Sequence, residues 1–322
     1  MAIPQNVSIG ECNMKIAFLF SGQGSQYPGM MKELYDLEVS AREVFLKADS
    51  ALNRSISGIC FSGTQEDLDL THNTQPCVLA ADLAAGMVLK AHGVEPEAVA
   101  GFSLGEYAAL VYAGVFSTED AFEMVQIRAD AMQEAVAPGE GAMAALQGVS
   151  EEKAEEMCKK ATRGYVIPAN FNSPVQTVIS GTAAGVEEVV SIAQEEKILC
   201  MKLAVSAPFH CALMEPAARK LEILFRTKSF NAPRIQVYCN YNGKPISSQD
   251  EIADLLVRQA MSPVQWVKTL ENMREDGFDT FVECGPGRTL SGLVKKTLKD
   301  VTICRIEDGR TLENTLASLG IY

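Results

Sequence analysis

One nonapeptide, Val99-Ala-Gly-Phe-Ser-Leu-Gly-Glu-Tyr107, constrains this chain more than its composition does. Gly101, Ser103 and Gly105 stand in Gly-x-Ser-x-Gly spacing. A serine on a tight strand-to-helix turn sits in strained backbone, so its neighbours must approach without side chains. Such a turn exposes the hydroxyl and aims the next residue's N–H at the same space. Free N–H groups and the dipole at the start of the helix can then stabilise an oxyanion. The flanks agree: residues 94–101 read as a linker into a small apolar strand, and 106–113 as an alanine-rich helix. The competing reading of Ser103 is a serine that caps a helix. A nucleophilic serine needs a base, an oxyanion hole and a means of recognising an acyl group, so these are sought in the rest of the chain.

Composition limits the classes. With 322 residues, 47% hydrophobic and 21% charged, the chain can bury a large core as one big domain plus a smaller one. A net charge of -13 argues against nonspecific nucleic-acid binding and adsorption to anionic membranes. No apolar run is long enough to span a bilayer, and residues 1–13 lack the basic start and apolar middle of a signal peptide. Nine scattered cysteines without a C-x-x-C pair suggest neither a zinc site nor a disulfide framework; reduced thiols in the cytoplasm are expected. Cys211, next to a histidine, reads as a small buried side chain.

Met14 runs straight into an apolar strand, 15–20, which marks residues 1–13 as an extension. The strand empties into Ser21-Gly-Gln-Gly-Ser-Gln26, a loop able to approach a ligand closely or simply to turn; it lacks the Gly-Lys-Ser/Thr ending of a phosphate loop. Helical segments follow over 29–52 and 77–92, separated by a polar break at 71–76, with His72 and His92 read as solvated. Ser117 caps a helix to about 136 that carries Arg128, either a salt-bridged structural residue or a fork for a carboxylate. Residues 139–206 follow the order strand-helix-strand-strand-helix-strand, a ferredoxin-like α+β pattern inserted in a larger α/β domain with a parallel sheet, 14–138 and 207–322. At its exit His210 lies in an apolar, proline-bounded turn and is the candidate base. Further strands are expected at 235–239 and 280–284, helices at 215–228, 250–259 and up to 275, and a final helix from about 289, after Gly285-Pro-Gly287.

From Met14 to about Ala317 the chain resembles the malonyl-CoA:acyl carrier protein transacylases. The patterns that carry the resemblance are Gly22-Gln-Gly-Ser-Gln26, Thr74-Gln-Pro76, Gly101-Phe-Ser-Leu-Gly-Glu106, Arg128 with Met132-Gln-Glu134, Asn170-Phe-Asn-Ser-Pro174, Pro208-Phe-His210, Pro263-Val-Gln265 and Gly285-Pro-Gly287. The resemblance implies an α/β-hydrolase-like large domain, Ser103 as nucleophile, His210 as base, and the backbone N–H groups of Gln23 and Leu104 as oxyanion hole. It implies that Arg128 holds the malonyl carboxylate, that a backbone carbonyl at Gln265 orients the histidine, and that Asn172 lies near the site. Two residues depart from the pattern: Phe102 replaces the usual histidine before the serine, and Cys77 stands where alanine is common.

The implied reaction is ping-pong transfer of malonyl from malonyl-CoA, through a malonyl-serine ester, to the phosphopantetheine thiol of holo acyl carrier protein, in fatty-acid synthesis. No metal or other cofactor is expected, no nucleic acid or membrane partner, and a monomer. Phe209 before His210 resembles the malonyl type of the family. Acyl carrier proteins are acidic, so a local basic face is needed; Arg219-Lys220, Lys295-Lys296 and Lys202 are the candidates. The rival functions are a serine hydrolase of lipase or patatin type, which would hydrolyse simple esters rapidly, a catalytically silent acyl-binding module, which an intact Ser103–His210 pair argues against, and the acyltransferase piece of a larger synthase.

Overall fold

A computed structural model of the chain describes residues 14–205 and 207–321; the extension expected over 1–13 lies outside the described residues. Among the described residues the chain forms nine strands: β1 (Ile16–Phe20), β2 (Ala98–Gly101), β3 (Gly141–Gln147), β4 (Val166–Ser173), β5 (Gln176–Thr182), β6 (Leu199–Lys202), β7 (Gln236–Tyr238), β8 (Thr280–Cys284) and β9 (Thr302–Ile306). They make two sheets. The first is parallel throughout, in the order β7-β2-β1-β8-β9.

β1 is apolar at every position because both its faces are covered. Phe18 and Phe20 enter one buried cluster, Ala17 and Leu19 the other. The first cluster is filled by the Thr71–Ala91 helix, which is buried almost all round. The carboxyl ends of β1 and β2 lie side by side at the middle of the sheet, where the strand order switches and open α/β folds place their ligands.

The second sheet is antiparallel, in the order β4-β5-β3-β6, and spans the insertion read over 139–206. Its two helices, Glu151–Lys160 and Ala183–Glu195, cover one face through Ala144, Leu146 and Ile179. On the other face Met143, Ala145 and Val178 pack towards Met132, Phe209 and Met214 of the larger body. β4 is stitched to the segment after residue 261: Phe171 N–H donates to Val264 O at 3.0 Å, and Val264 N–H to Ala169 O at 2.9 Å.

Two expectations need correction. The break expected at 71–76 is helix, with Pro76 inside it. Pro76 cannot donate to the His72 carbonyl four residues back, and Arg54 Nη2 and Gln126 Nε2 donate to that carbonyl instead, at 3.3 and 3.4 Å. The helical segments expected over 29–52 are Lys32–Leu37 and Val39–Leu52, parted by an extended Glu38. The chain does not end on the helix from 289: β9 and a Gly309–Ser318 helix follow, β9 adding an edge to the parallel sheet. His72 and His92 are partly exposed as expected, but each meets a carboxylate, Asp130 and Glu38. No helix among the described residues is long and apolar enough to cross a membrane.

Candidate active site

The turn between β2 and the Gly105–Tyr112 helix is as tight as its glycines suggest. A Cβ on Gly101 would fall 1.9 Å from the carbonyl carbon of Gly105, and one on Gly105 would fall 2.3 Å from the carbonyl oxygen of Phe20. Ser103 between them has φ 55°, a left-handed conformation that a non-glycine residue adopts at a cost of order 1–3 kcal/mol. That conformation is held by Asn240. Its Oδ1 accepts from Ser103 N–H at 2.6 Å, and its Nδ2 donates to Gly101 O at 2.6 Å. Neither the Gln23 nor the Leu104 backbone N–H has an acceptor among the described residues.

His210 reaches the serine from the exit of the second sheet. Ser103 Oγ and His210 Nε2 are 2.7 Å apart. His210 also has a positive φ, 59°, and is buried. Its Nδ1 lies 2.9 Å from Gln259 O, an acceptor only, so the proton sits on Nδ1 and Nε2 presents a lone pair to the hydroxyl. Burial first, and then the Arg128 charge, lower the imidazole pKa to about 4, so it is neutral at physiological pH and able to accept a proton.

Gln259 also corrects the expectation placed on Gln265. Gln265 O is used within its own helix, accepting from Thr269 N and Oγ1, and Gln265 N–H donates to Asn240 O. The His210 acceptor lies six residues earlier, near the end of the Ile252–Met261 helix.

Arg128 projects from the Thr118–Glu134 helix and is buried. Its Nη2 donates to Ser103 Oγ at 3.0 Å and to Gln259 Oε1 at 3.1 Å; its Nη1 donates to Gln75 Oε1 at 2.7 Å. The guanidinium carbon stands 5.5 Å from the centre of the Tyr107 ring. A buried guanidinium is ordinarily neutralised by a carboxylate. This one is bonded to two amide oxygens and a hydroxyl, and no carboxylate lies in ion-pair contact with it among the described residues.

These groups open on a cavity of about 470 Å³ between the two sheets, lined by Ser103, His210, Arg128, Gln23 and Asn172, with Met201 of β6 on its far wall. Gln23 is tied in by its side chain, whose Oε1 accepts from Gln75 Nε2 at 3.5 Å. Asn172 Nδ2 bonds to Gln176 at 3.2 Å and contacts none of the reactive groups directly. Phe102 packs edge-on against Trp266, with ring centres 5.3 Å apart, so it serves the wall and not proton transfer. Sequence reasoning missed Gln75, Glu106, Asn240 and Gln259 as site residues. Gln75 and Glu106 lie inside quoted patterns, so position was the available signal; Asn240 and Gln259 carry none.

Comparison with known proteins fits this geometry. The acyl transferase domain family matches over residues 17–313. The malonyl CoA-acyl carrier protein transacylase of Bacillus subtilis is 41% identical over 308 residues, covering 95% of this chain and 97% of that protein. The Escherichia coli K12 protein of the same name is 40% identical, covering 91% and 96%. Among solved structures, the Clostridium perfringens malonyl CoA-acyl carrier protein transacylase superposes with TM-score 0.92 at 40% identity, over 95% of this chain and 97% of that one. A malonyl-transacylase solved in complex with a type II PKS acyl-carrier protein superposes with TM-score 0.91 at 37% identity, over 94% and 99%. The chain therefore belongs to the acyl transferase domain family, among its malonyl CoA-acyl carrier protein transacylases.

Proposed function

We propose that the chain moves a malonyl group from malonyl-CoA to the phosphopantetheine thiol of acyl carrier protein through an ester on Ser103. The observation that carries this reading is the buried Arg128 guanidinium, 3.0 Å from the nucleophile and bonded to neutral groups only. A charge so placed awaits an anion, and a free carboxylate on the acyl chain supplies one bidentately. A hydrolase of simple esters has no use for it.

In the first half-reaction Ser103 Oγ attacks the thioester carbonyl as His210 Nε2 takes its proton. The oxyanion is received by the N–H groups of Gln23 and Leu104. The C–S bond breaks, and CoA leaves as a thiol with the proton from His210. In the second half the carrier thiol attacks the ester, His210 takes the thiol proton, and returns it to Ser103 Oγ as that oxygen leaves. No step requires a cofactor.

The same reading extends to architecture. The parallel sheet with its serine turn supports an α/β-hydrolase-like body over 14–138 and 207–322. The order β4-β5-β3-β6 with its two helices supports a ferredoxin-like insertion over 139–206. Eight described cysteines are free thiols, in keeping with a reducing, cytoplasmic setting.

Intact-protein mass spectrometry after brief mixing with malonyl-CoA tests the reading. The parent chain should gain one malonyl unit, Ser103→Ala none, and holo acyl carrier protein should discharge the adduct. Free CoA without an adduct would point to hydrolysis instead.

A further inference from the structure

Glu106 is buried beneath the nucleophile turn and has no part in the reaction as written above. Its Oε2 accepts from two donors, Gln259 Nε2 at 3.0 Å and Asn240 N–H at 3.1 Å. Each donor belongs to a residue that holds a reacting group. Gln259 Nε2 also donates to Ser103 O at 2.7 Å, its Oε1 accepts from Arg128, and its main-chain carbonyl accepts from His210. Asn240 Oδ1 accepts from Ser103 N–H.

Donors and acceptors around this ring admit one arrangement. Arg128 can only donate, so it requires the oxygen of the Gln259 amide. The nitrogen end must then find acceptors, and Glu106 and the Ser103 carbonyl provide them. With an apolar side chain at 106 the amide would lose one acceptor, and the Asn240 N–H would be buried without a partner. We infer that Glu106 is the positioning residue of this site: by accepting from Gln259 and Asn240 it fixes the amide that orients Arg128, on the residue whose main-chain carbonyl holds His210, and the asparagine that holds the Ser103 turn. Burial raises the Glu106 pKa to about 7 against the opposing pull of these donors, so its carboxyl is held at a desolvation cost, in keeping with a use for it.

The inference rests on the proposed roles of Ser103 and His210, and its test must separate the two. Two variants serve: Glu106→Met, apolar and of similar length, and Glu106→Gln, whose carbonyl can accept from both donors. Two rates are read in each, malonyl transfer to holo carrier and phosphonylation of Ser103 by a fluorophosphonate, which uses the Ser–His pair without any malonyl group. Displaced reacting groups should cost Glu106→Met about 100-fold in both rates and raise KM for malonyl-CoA, whereas Glu106→Gln should stay within about tenfold of the parent.

A residue that merely fills space gives the other order, with methionine no worse than glutamine, and that result would overturn the inference. Should Glu106→Met fail to fold, Glu106→Gln decides alone: a folded, soluble Glu106→Gln slowed about 100-fold would overturn it. A parent chain that is not phosphonylated at Ser103 sinks the reading of the nucleophile, and the inference with it. A reactive parent with a fully active Glu106→Met sinks the inference only.

Discussion

At the scale of single residues, Arg128 does two things to its neighbours that can be measured apart. On the proposed reading it presents a cation to the acyl group, and its charge adds to burial in lowering the His210 pKa. In Arg128→Met, malonyl transfer should fall far more than acetyl transfer, because a malonyl carboxylate is then buried unpaired at a cost of about 2–5 kcal/mol. Equal losses for both acyl groups would remove the carboxylate role. The second effect has a definite sign. A nearby cation disfavours imidazolium, so the parent loses its base only as pH falls through about 4. Removing the cation leaves burial as the main cause, and the acid limb of Ser103 phosphonylation should move up in pH; an unmoved limb would show that Arg128 does not act on His210. Ser103 and His210 are marked in the sequence by their own side-chain chemistry, and Arg128 by the resemblance; the structure brings the three side chains together. Gln259 carries no such mark. It serves His210 through a carbonyl that every residue possesses, and the pattern ending at Gln265 drew the assignment six residues too far.

Among elements, the nucleophile turn is the least tolerant of change. It lies against the end of β1 and the start of the loop that carries Gln23, so a side chain at 105 would push apart the two proposed sources of oxyanion N–H. Gly105→Ala should lower stability by about 3 kcal/mol, at the upper end of overpacking costs. Urea denaturation reads it, and a parental midpoint would mean that the turn yields more easily than its 2.3 Å contact implies. β1, β2, β8 and the strands of the second sheet could be read in advance, since short apolar runs end at glycine or polar turns. The full Thr71–Ala91 helix is hard to read from sequence because Pro76 normally breaks a helix; here Arg54, from the bend after the Val39–Leu52 helix, and Gln126, from the Thr118–Glu134 helix, supply the missing donors, and no local sequence announces that. β9 went unseen because an edge strand with alternating exposure gives a weak signal.

The whole molecule carries a net charge of -13, and on the proposed reading it must still receive the acidic carrier that the resemblance implies. The candidate cations differ in what they already touch. Arg219 pairs with Glu215, Lys220 with Glu134 and Lys202 with Glu187, whereas Lys295 and Lys296 have no ion pair among the described residues. Lys295, with Arg288 and Arg310, borders a second cavity of about 660 Å³. The helix that carries both lysines turns Leu290 and Leu293 to the active-site cavity. Lys295→Glu with Lys296→Glu should therefore lower kcat/KM for the carrier by roughly tenfold at low salt, less at high salt, with malonylation from malonyl-CoA unchanged. Reversal of Arg219 and Lys220 should do less; the opposite ranking would place the carrier on another face. The second sheet has a consequence of its own. Its first and last strands, β3 and β6, are hydrogen-bonded neighbours, so the chain leaves and re-enters the larger body at nearly one point. Met143 and Ala145 of that excursion face the cavity, while Ser103, Arg128 and Gln259 lie outside it. One wall of the cavity is thus written on a single length of chain, and exchanging that length among relatives would reshape that wall while leaving Ser103, Arg128 and Gln259 in place.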